Sequence, residues 1–196
     1  MLWLNGGPGC SSSTGLLFEL GPCSISDEGR STTYNNNSWN SVANVVFLDQ
    51  PVGVGYSYSS DNSMVNTSPT ASVDVWSFLE LFLIRYPKYA KAPFHLAAES
   101  YGGIFAPNIA ALIQQKNKEF YLSPSSNPRI NLASVIIGNG LTDPYVQFGS
   151  VPDYACKGPY PVFEADSFQC SALYSKASTC QRLIQACYGF DSRLTW

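Results

Sequence analysis

Four short apolar runs stand out along the chain, at residues 1–4, 45–48, 94–98 and 134–137, and each meets Gly, Asp or Ser within two residues. Runs this short and this continuously apolar predict strands buried on both faces. Between the second and third runs, Ser68 as N-cap and Pro69 in the first turn open a helix that runs to Pro87, with Val75, Phe78, Leu79 and Phe82 at helical spacing. A second helix is predicted over residues 105–116, with Pro107 in its opening turn and Phe105, Ile109, Leu112 and Ile113 on one face. Strand, helix, strand, helix is the order of an α/β protein with a parallel sheet. Residues 24–41, rich in Asn, Ser and Thr, read as a surface connection, and residues 116–131, with Pro124 and Pro128, as a return to the next strand. From Ser150 the composition turns to Tyr, Cys and Pro, followed by a helical stretch at 164–188. The expected organisation is a core over residues 1–149 and the start of a cap or insertion over 150–196.

Composition narrows the function classes. The formal net charge is -3 and the 11 Lys and Arg are scattered, so no basic stripe suits a nucleic-acid backbone. No apolar run approaches the length of a membrane span, and residues 1–4 lack the length and positive flank of a signal peptide. The six cysteines, at 10, 23, 156, 170, 180 and 187, show no C-x-x-C spacing, so disulfides in an oxidising compartment are expected and no metal or cofactor is. The sequons at Asn36 and Asn66 point the same way. In a helix over 164–188, Cys180 and Cys187 stand about 10 Å apart along the axis, too far to pair. Cys156 and Cys170, joined by a loop that can fold back, are the expected pair.

The chemistry lies in Phe94-His95-Leu96-Ala97-Ala98-Glu99-Ser100-Tyr101-Gly102-Gly103-Ile104: an apolar strand, a serine among small residues, then a helix. This is a nucleophile elbow, in which Ala98 and Gly102 leave room for a tight turn that lifts the hydroxyl off the sheet edge. Ala98 stands where the G-x-S-x-G pattern has Gly. A structural Ser-Gly turn is the bland alternative. A second element, Leu2-Trp3-Leu4-Asn5-Gly6-Gly7-Pro8-Gly9-Cys10-Ser11, is a strand ending in a Gly-rich loop able to aim a backbone N–H at an oxyanion. A phosphate loop is disfavoured, because no Lys-Ser/Thr pair follows and Pro8 removes an N–H.

Those two motifs, with Val46-Phe47-Leu48-Asp49-Gln50-Pro51-Val52-Gly53-Val54-Gly55-Tyr56-Ser57-Tyr58 and Ile137-Gly138-Asn139-Gly140-Leu141-Thr142-Asp143-Pro144, resemble the serine carboxypeptidase family, in particular its carboxypeptidase Y branch. The resemblance runs from residue 1 to about residue 187. It implies an α/β-hydrolase fold, with a partial central sheet here, and release of C-terminal residues from peptides or proteins through an acyl-enzyme. By that resemblance Ser100 is the nucleophile, and the N–H groups of Gly7 and Tyr101 form the oxyanion hole. Trp3, Asn5, Gly6 and Glu99 meet the substrate's terminal carboxylate, Glu19 is a hydrogen-bonding partner of Glu99, and Thr14 and Phe18 line the pocket for the penultimate residue. A Glu beside a substrate carboxylate needs a shared proton, which implies an acidic compartment, vacuolar, lysosomal or secretory. In isolation, Glu99 also reads as a solvated turn carboxylate and Asn5 as a loop residue capping its own backbone.

The catalytic acid and base are not evident. The one histidine, His95, lies roughly 16 Å from Ser100 along an extended strand and reads as a packed or hydrogen-bonded sheet residue. Asp49 and Asp143 read as loop-fixing residues. The family's strands bearing Asp and His, and its first strands, would lie outside residues 1–196. The expectation is therefore a fragment, inactive and marginally stable alone, with a sheet open at both margins and Cys10 without the downstream cysteine that the family pairs with it. Two alternatives are carried. One is an acyltransferase or lyase relative of this family, disfavoured because the acyltransferases tend to carry Thr in place of Asn5 and Asp in place of Glu99. The other is a non-catalytic chain that binds peptides.

Overall fold

The computed structural model describes residues 1–122 and 128–190. Two compact units divide the chain, Met1–Gly140 and Leu141–Trp196.

In the first unit, β1 (Leu2–Leu4), β4 (Val46–Phe47), β5 (Phe94–Glu99) and β6 (Leu132–Gly138) form a parallel sheet of order β4-β1-β5-β6. All four predicted strands are present. The register aligns Leu2 with Val46 and Leu96, and Ala98 with Ile137, so the C-terminal ends of the strands gather at one margin. A parallel sheet needs crossovers, and two helices supply them. Helix α1 (Ser68–Arg85) follows β4, and α2 (Gly102–Leu122) follows β5. Leu2, Leu4, Leu96 and Ala98 of the strands pack with Val75 and Leu79 of α1 and Phe105, Ile109 and Ile113 of α2 in one core. On the sheet's other face, Trp3 and Ala97 pack with Leu20, and the indole of Trp3 meets that of Trp39 edge-on.

Several expectations need correction. The N-cap of α1 is Thr67, whose hydroxyl accepts the Thr70 N–H, so Ser68 is the first helical residue. Helix α2 begins at Gly102, directly out of the elbow, which puts Pro107 inside the helix rather than in its opening turn. Proline there donates no bond to the carbonyl four residues back. The same helix takes up the first part of the expected return loop, whose Pro124 lies outside the described residues. The expected surface connection holds a hairpin, β2 (Cys23–Ser26) against β3 (Ser31–Tyr34), with positive φ at Asp27, Glu28 and Gly29 in its turn. Its alternation of small hydroxyl residues carries too little hydrophobic contrast to announce strands. Coverage on both faces fails at β6, where Val135, Ile136 and Ile137 are about 40% exposed.

The second unit holds α3 (Pro144–Gly149), α4 (Val151–Lys157) and α5 (Phe168–Phe190), the last starting four residues later than expected. Cys156 and Cys170 form the expected disulfide, at a Cα separation of 6.0 Å. Cys10, Cys23, Cys180 and Cys187 carry free thiols. Asp143 caps α3 through the Tyr145 N–H and accepts the Tyr188 hydroxyl at 3.0 Å, the loop-fixing part read for it.

Candidate active site

Ser100 sits where β5 turns into α2, with φ of 56° and its residue exposed. A left-handed conformation is costly for serine, and the surroundings hold it there. The Ser100 N–H donates to the Gly138 carbonyl at the end of β6, and its own carbonyl accepts the Gly103 N–H at 3.1 Å. Ala98 lies against Gly102 so closely that a Cβ on Gly102 would overlap the Ala98 methyl. The elbow therefore tolerates Ala before the serine because Gly follows it.

The Gly-rich loop leaves β1, the neighbour of β5, and lies on the elbow. A Cβ built on Gly6 would stand 2.5 Å from the Tyr101 nitrogen and 2.8 Å from Ser100 Cβ. Bond lengths then hold the Gly7 nitrogen within about 7 Å of Ser100 Cβ. The backbone nitrogens of Gly7 and Tyr101 thus lie on the same side of the elbow, near Ser100. Gly7 has φ of 112° and precedes a cis Pro8, and the Cys10 N–H closes the loop onto the Gly6 carbonyl at 3.1 Å.

Beside the serine lies a buried polar network centred on Asn5, which is 3% exposed. Its Oδ1 accepts the Trp3 indole N–H at 2.9 Å and the Gly15 N–H at 3.0 Å. Two donors on Oδ1 leave Nδ2 facing the carboxylates, and it donates to Glu99 at 2.8 Å and to Glu19 at 3.2 Å. Apart from the Trp3 indole, the side-chain partners of Asn5 lie ten and more residues away, and its side chain does not cap its own turn. Glu99 is tied down rather than freely solvated, and Asn5 bridges it to Glu19. Burial raises the Glu19 carboxyl above its ordinary range; the Asn5 bond opposes that, and the charge of Glu99 adds to it. Glu19, Thr14 and the 65% exposed Phe18 all belong to the π-helical turn Gly15–Glu19 or its N-terminal edge.

Two residues of this network, Ser12 and Gly15, carried little sequence signal, whereas Asp49 reads as loop-fixing. Ser12, 1% exposed, accepts the Asn5 N–H on its hydroxyl at 3.1 Å, and Gly15 has no space for a Cβ against Trp3 and Asn5. Asp49 receives bonds from both flanking loops. The first two depend on how the loop closes, which spacing alone does not show.

His95 does not join the site. It stands at the far end of β5 with Nδ1 2.8 Å from the Ser134 hydroxyl, as a hydrogen-bonded sheet residue. It borders a cavity of about 570 Å³ at the N-terminal ends of the strands, walled by Leu2, Val45, Leu79, Phe82 and Phe94, away from every residue around Ser100. Among the described residues no cluster of His, Cys, Asp and Glu could hold a metal ion, and no helix is long and apolar enough to cross a membrane. Asn36 and Asn66 are both exposed.

Comparison with known proteins bears on this geometry. The family model described as serine carboxypeptidase matches residues 1–194. Carboxypeptidase Y of Schizosaccharomyces pombe is 46% identical over 194 residues, covering 96% of this chain and 19% of its own length. Carboxypeptidase Y homolog A of Ajellomyces capsulatus is 46% identical, covering 98% of this chain and 33% of its own. The crystal structure of Kex1(delta)p, a prohormone-processing carboxypeptidase from Saccharomyces cerevisiae, superposes with a TM-score of 0.79 at 30% identity, over 94% of this chain and 39% of that one. The chain thus spans a third or less of the curated relatives' length.

Proposed function

The chain belongs to the serine carboxypeptidase family, with its α/β-hydrolase fold, and from that premise we propose that Ser100 is the nucleophile of an exopeptidase that removes C-terminal residues. The observation that carries the reading is the Gly6–Gly7 loop lying on the Ser100 elbow beside the Asn5 network. Attack of the Ser100 hydroxyl on the last peptide carbonyl places negative charge on one oxygen, and in this reading the Gly7 and Tyr101 N–H groups receive it. Collapse of that intermediate expels the C-terminal amino acid and leaves an acyl-Ser100 ester, which water hydrolyses.

Recognition of a free carboxylate belongs to Trp3, Asn5, Gly6, Glu99 and Glu19. Asn5 holds its amide rigid between Trp3, Gly15 and two carboxylates, so a substrate carboxylate sharing a proton with Glu99 meets a preorganised site. Sharing that proton favours acidic conditions. Thr14 and Phe18, at the edge of and on the same turn as Glu19, are assigned to the pocket for the penultimate residue of the substrate. The raised Glu19 carboxyl and the disulfide fit an acidic, oxidising, secretory or vacuolar compartment, where Asn36 and Asn66 would be open to glycosylation.

His95, the one histidine, is bound to Ser134 at the other end of β5 and is not the proton acceptor for Ser100. That observation favours a second reading for the chain by itself, which is binding of peptide C-termini without turnover. The test is release of C-terminal amino acids from a blocked dipeptide by the complete gene product. Ser100→Ala should lower the rate at least 1000-fold, on the scale of losing a nucleophile. Retained activity would remove the assignment. Peptide binding without release by either form would establish the second reading.

A further inference from the structure

Asp49, at the C-terminal end of β4, lies one strand away from the elbow and contributes nothing to the chemistry described above. It nevertheless joins two loops. Its Oδ1 accepts the Ser11 hydroxyl at 2.6 Å and the Ser12 N–H at 2.8 Å, both at the downstream end of the Gly-rich loop. Its Oδ2 accepts the Tyr56 N–H at 2.9 Å, and its backbone carbonyl accepts the Ser57 hydroxyl at 2.7 Å. The carboxylate also fills the space a Cβ of Gly55 would need, at a glycine with φ of +55°. Burial alone would raise this carboxyl, but the bonds from Ser11 and from the Tyr56, Ser12 and Ser13 amides outweigh it and hold it below its ordinary range.

We propose that Asp49 is a positioning residue for the oxyanion hole, holding the Gly7–Ser13 loop against the elbow so that the Gly7 N–H points at the reacting carbonyl. Resting on the carboxypeptidase reading, this assigns Asp49 a part in one half of the site only. The two halves differ in how they are braced. The Asn5 side chain is held by Trp3, Gly15, Glu19 and Glu99, none of which bonds Asp49, and only its backbone N–H meets the Asp49-anchored Ser12. The Gly7 segment is exposed, and its shape rests on the Cys10-to-Gly6 closure and on the Asp49 anchor that follows it. Loss of the anchor therefore misplaces the oxyanion donor while leaving the carboxylate site in place. Interactions made only in the transition state act on kcat, whereas ground-state binding of the carboxylate appears in KM.

The experiment compares Asp49→Ala, Asp49→Asn and Ser11→Ala in the complete gene product. For Asp49→Ala, kcat should fall about 100-fold, the scale of a misplaced donor, with KM within about threefold. Asparagine keeps one oxygen for Ser11 and Ser12 and turns an NH₂ toward the Tyr56 N–H, so Asp49→Asn should recover part of the loss. Ser11→Ala should lower kcat in the wild-type background and have no further effect on Asp49→Ala, since the two act through one contact. Affinity for a peptide aldehyde, which forms a tetrahedral adduct with the serine, should fall with kcat, while affinity for an N-acylated amino acid stays level. A folded Asp49→Ala protein with wild-type kcat, or with equal losses toward both ligands, overturns the proposal. If the wild type releases no amino acid, the functional reading fails, and amide hydrogen exchange then decides this one. Exchange at Gly7, Ser12 and Tyr56 about tenfold faster in Asp49→Ala supports it, and unchanged exchange overturns it.

Discussion

At the scale of single residues, the site is a matter of which polar atoms find partners. Asn5 has both ends of its amide occupied, and that arrangement orients Glu19 and Glu99 toward one nitrogen. Two carboxylates around one donor repel each other, and Glu19 carries the strain: burial raises its carboxyl, and Glu99 raises it further against the Asn5 bond. The sign of the consequence follows from linkage. A carboxyl whose folded value lies above its unfolded one supports the fold below the unfolded value, about 4.3, and that support is lost as pH rises through the folded value. Glu19→Gln keeps an oxygen for Asn5 and removes the charge. Thermal unfolding of this variant should therefore occur at a higher temperature than wild type at pH 7, and the gap should close below about pH 4, where both side chains are neutral. A gap that persists at low pH would show packing, not charge, to be the cause.

Elements were legible where hydrophobic contrast was strong. All four strands of the sheet and both crossover helices follow from apolar runs and 3.6-residue spacing, because burial against a common core is what writes those patterns. The elbow was legible too, since a strand, a serine between small residues and a helix have few other uses. The β2–β3 hairpin was not, because its outward residues are short hydroxyl side chains, and the start of α2 was masked by Gly102 and Gly103, which carry no helical propensity. Asn5 looked like a loop residue since partners such as Gly15 and Glu99 lie 10 and 94 positions away, a distance that only the closed sheet brings together. Thr67 shows how finely caps divide the credit: Thr67 and Ser68 are both capping types, and only geometry selects the first. Thr67→Ala should lower stability by about 1 kcal/mol, and Ser68→Ala by much less, in chemical denaturation. Equal losses would return the cap to Ser68.

For the molecule as a whole, the sheet's margins decide how the chain behaves in solution. Parallel sheets are ordinarily covered on both faces, and a bare edge offers unpaired backbone groups to a second chain. The two margins here differ. β4 is two residues long and half-buried, too short to template another strand. β6 is seven residues long, among the described residues pairs with β5 alone, and exposes Val135, Ile136 and Ile137. Its side chains alternate between faces, so the exposure of three in succession leaves both faces of this strand open. The 196-residue chain should therefore self-associate through β6, with a mass by light scattering that rises with concentration. Ile136→Lys places a charge in the middle of that edge, where pairing with a second copy would bury it, and should shift the population toward monomer without lowering the unfolding temperature. A wild-type chain that stays monomeric up to about 100 μM, well within the range where exposed strand edges associate, would show the edge to be harmless.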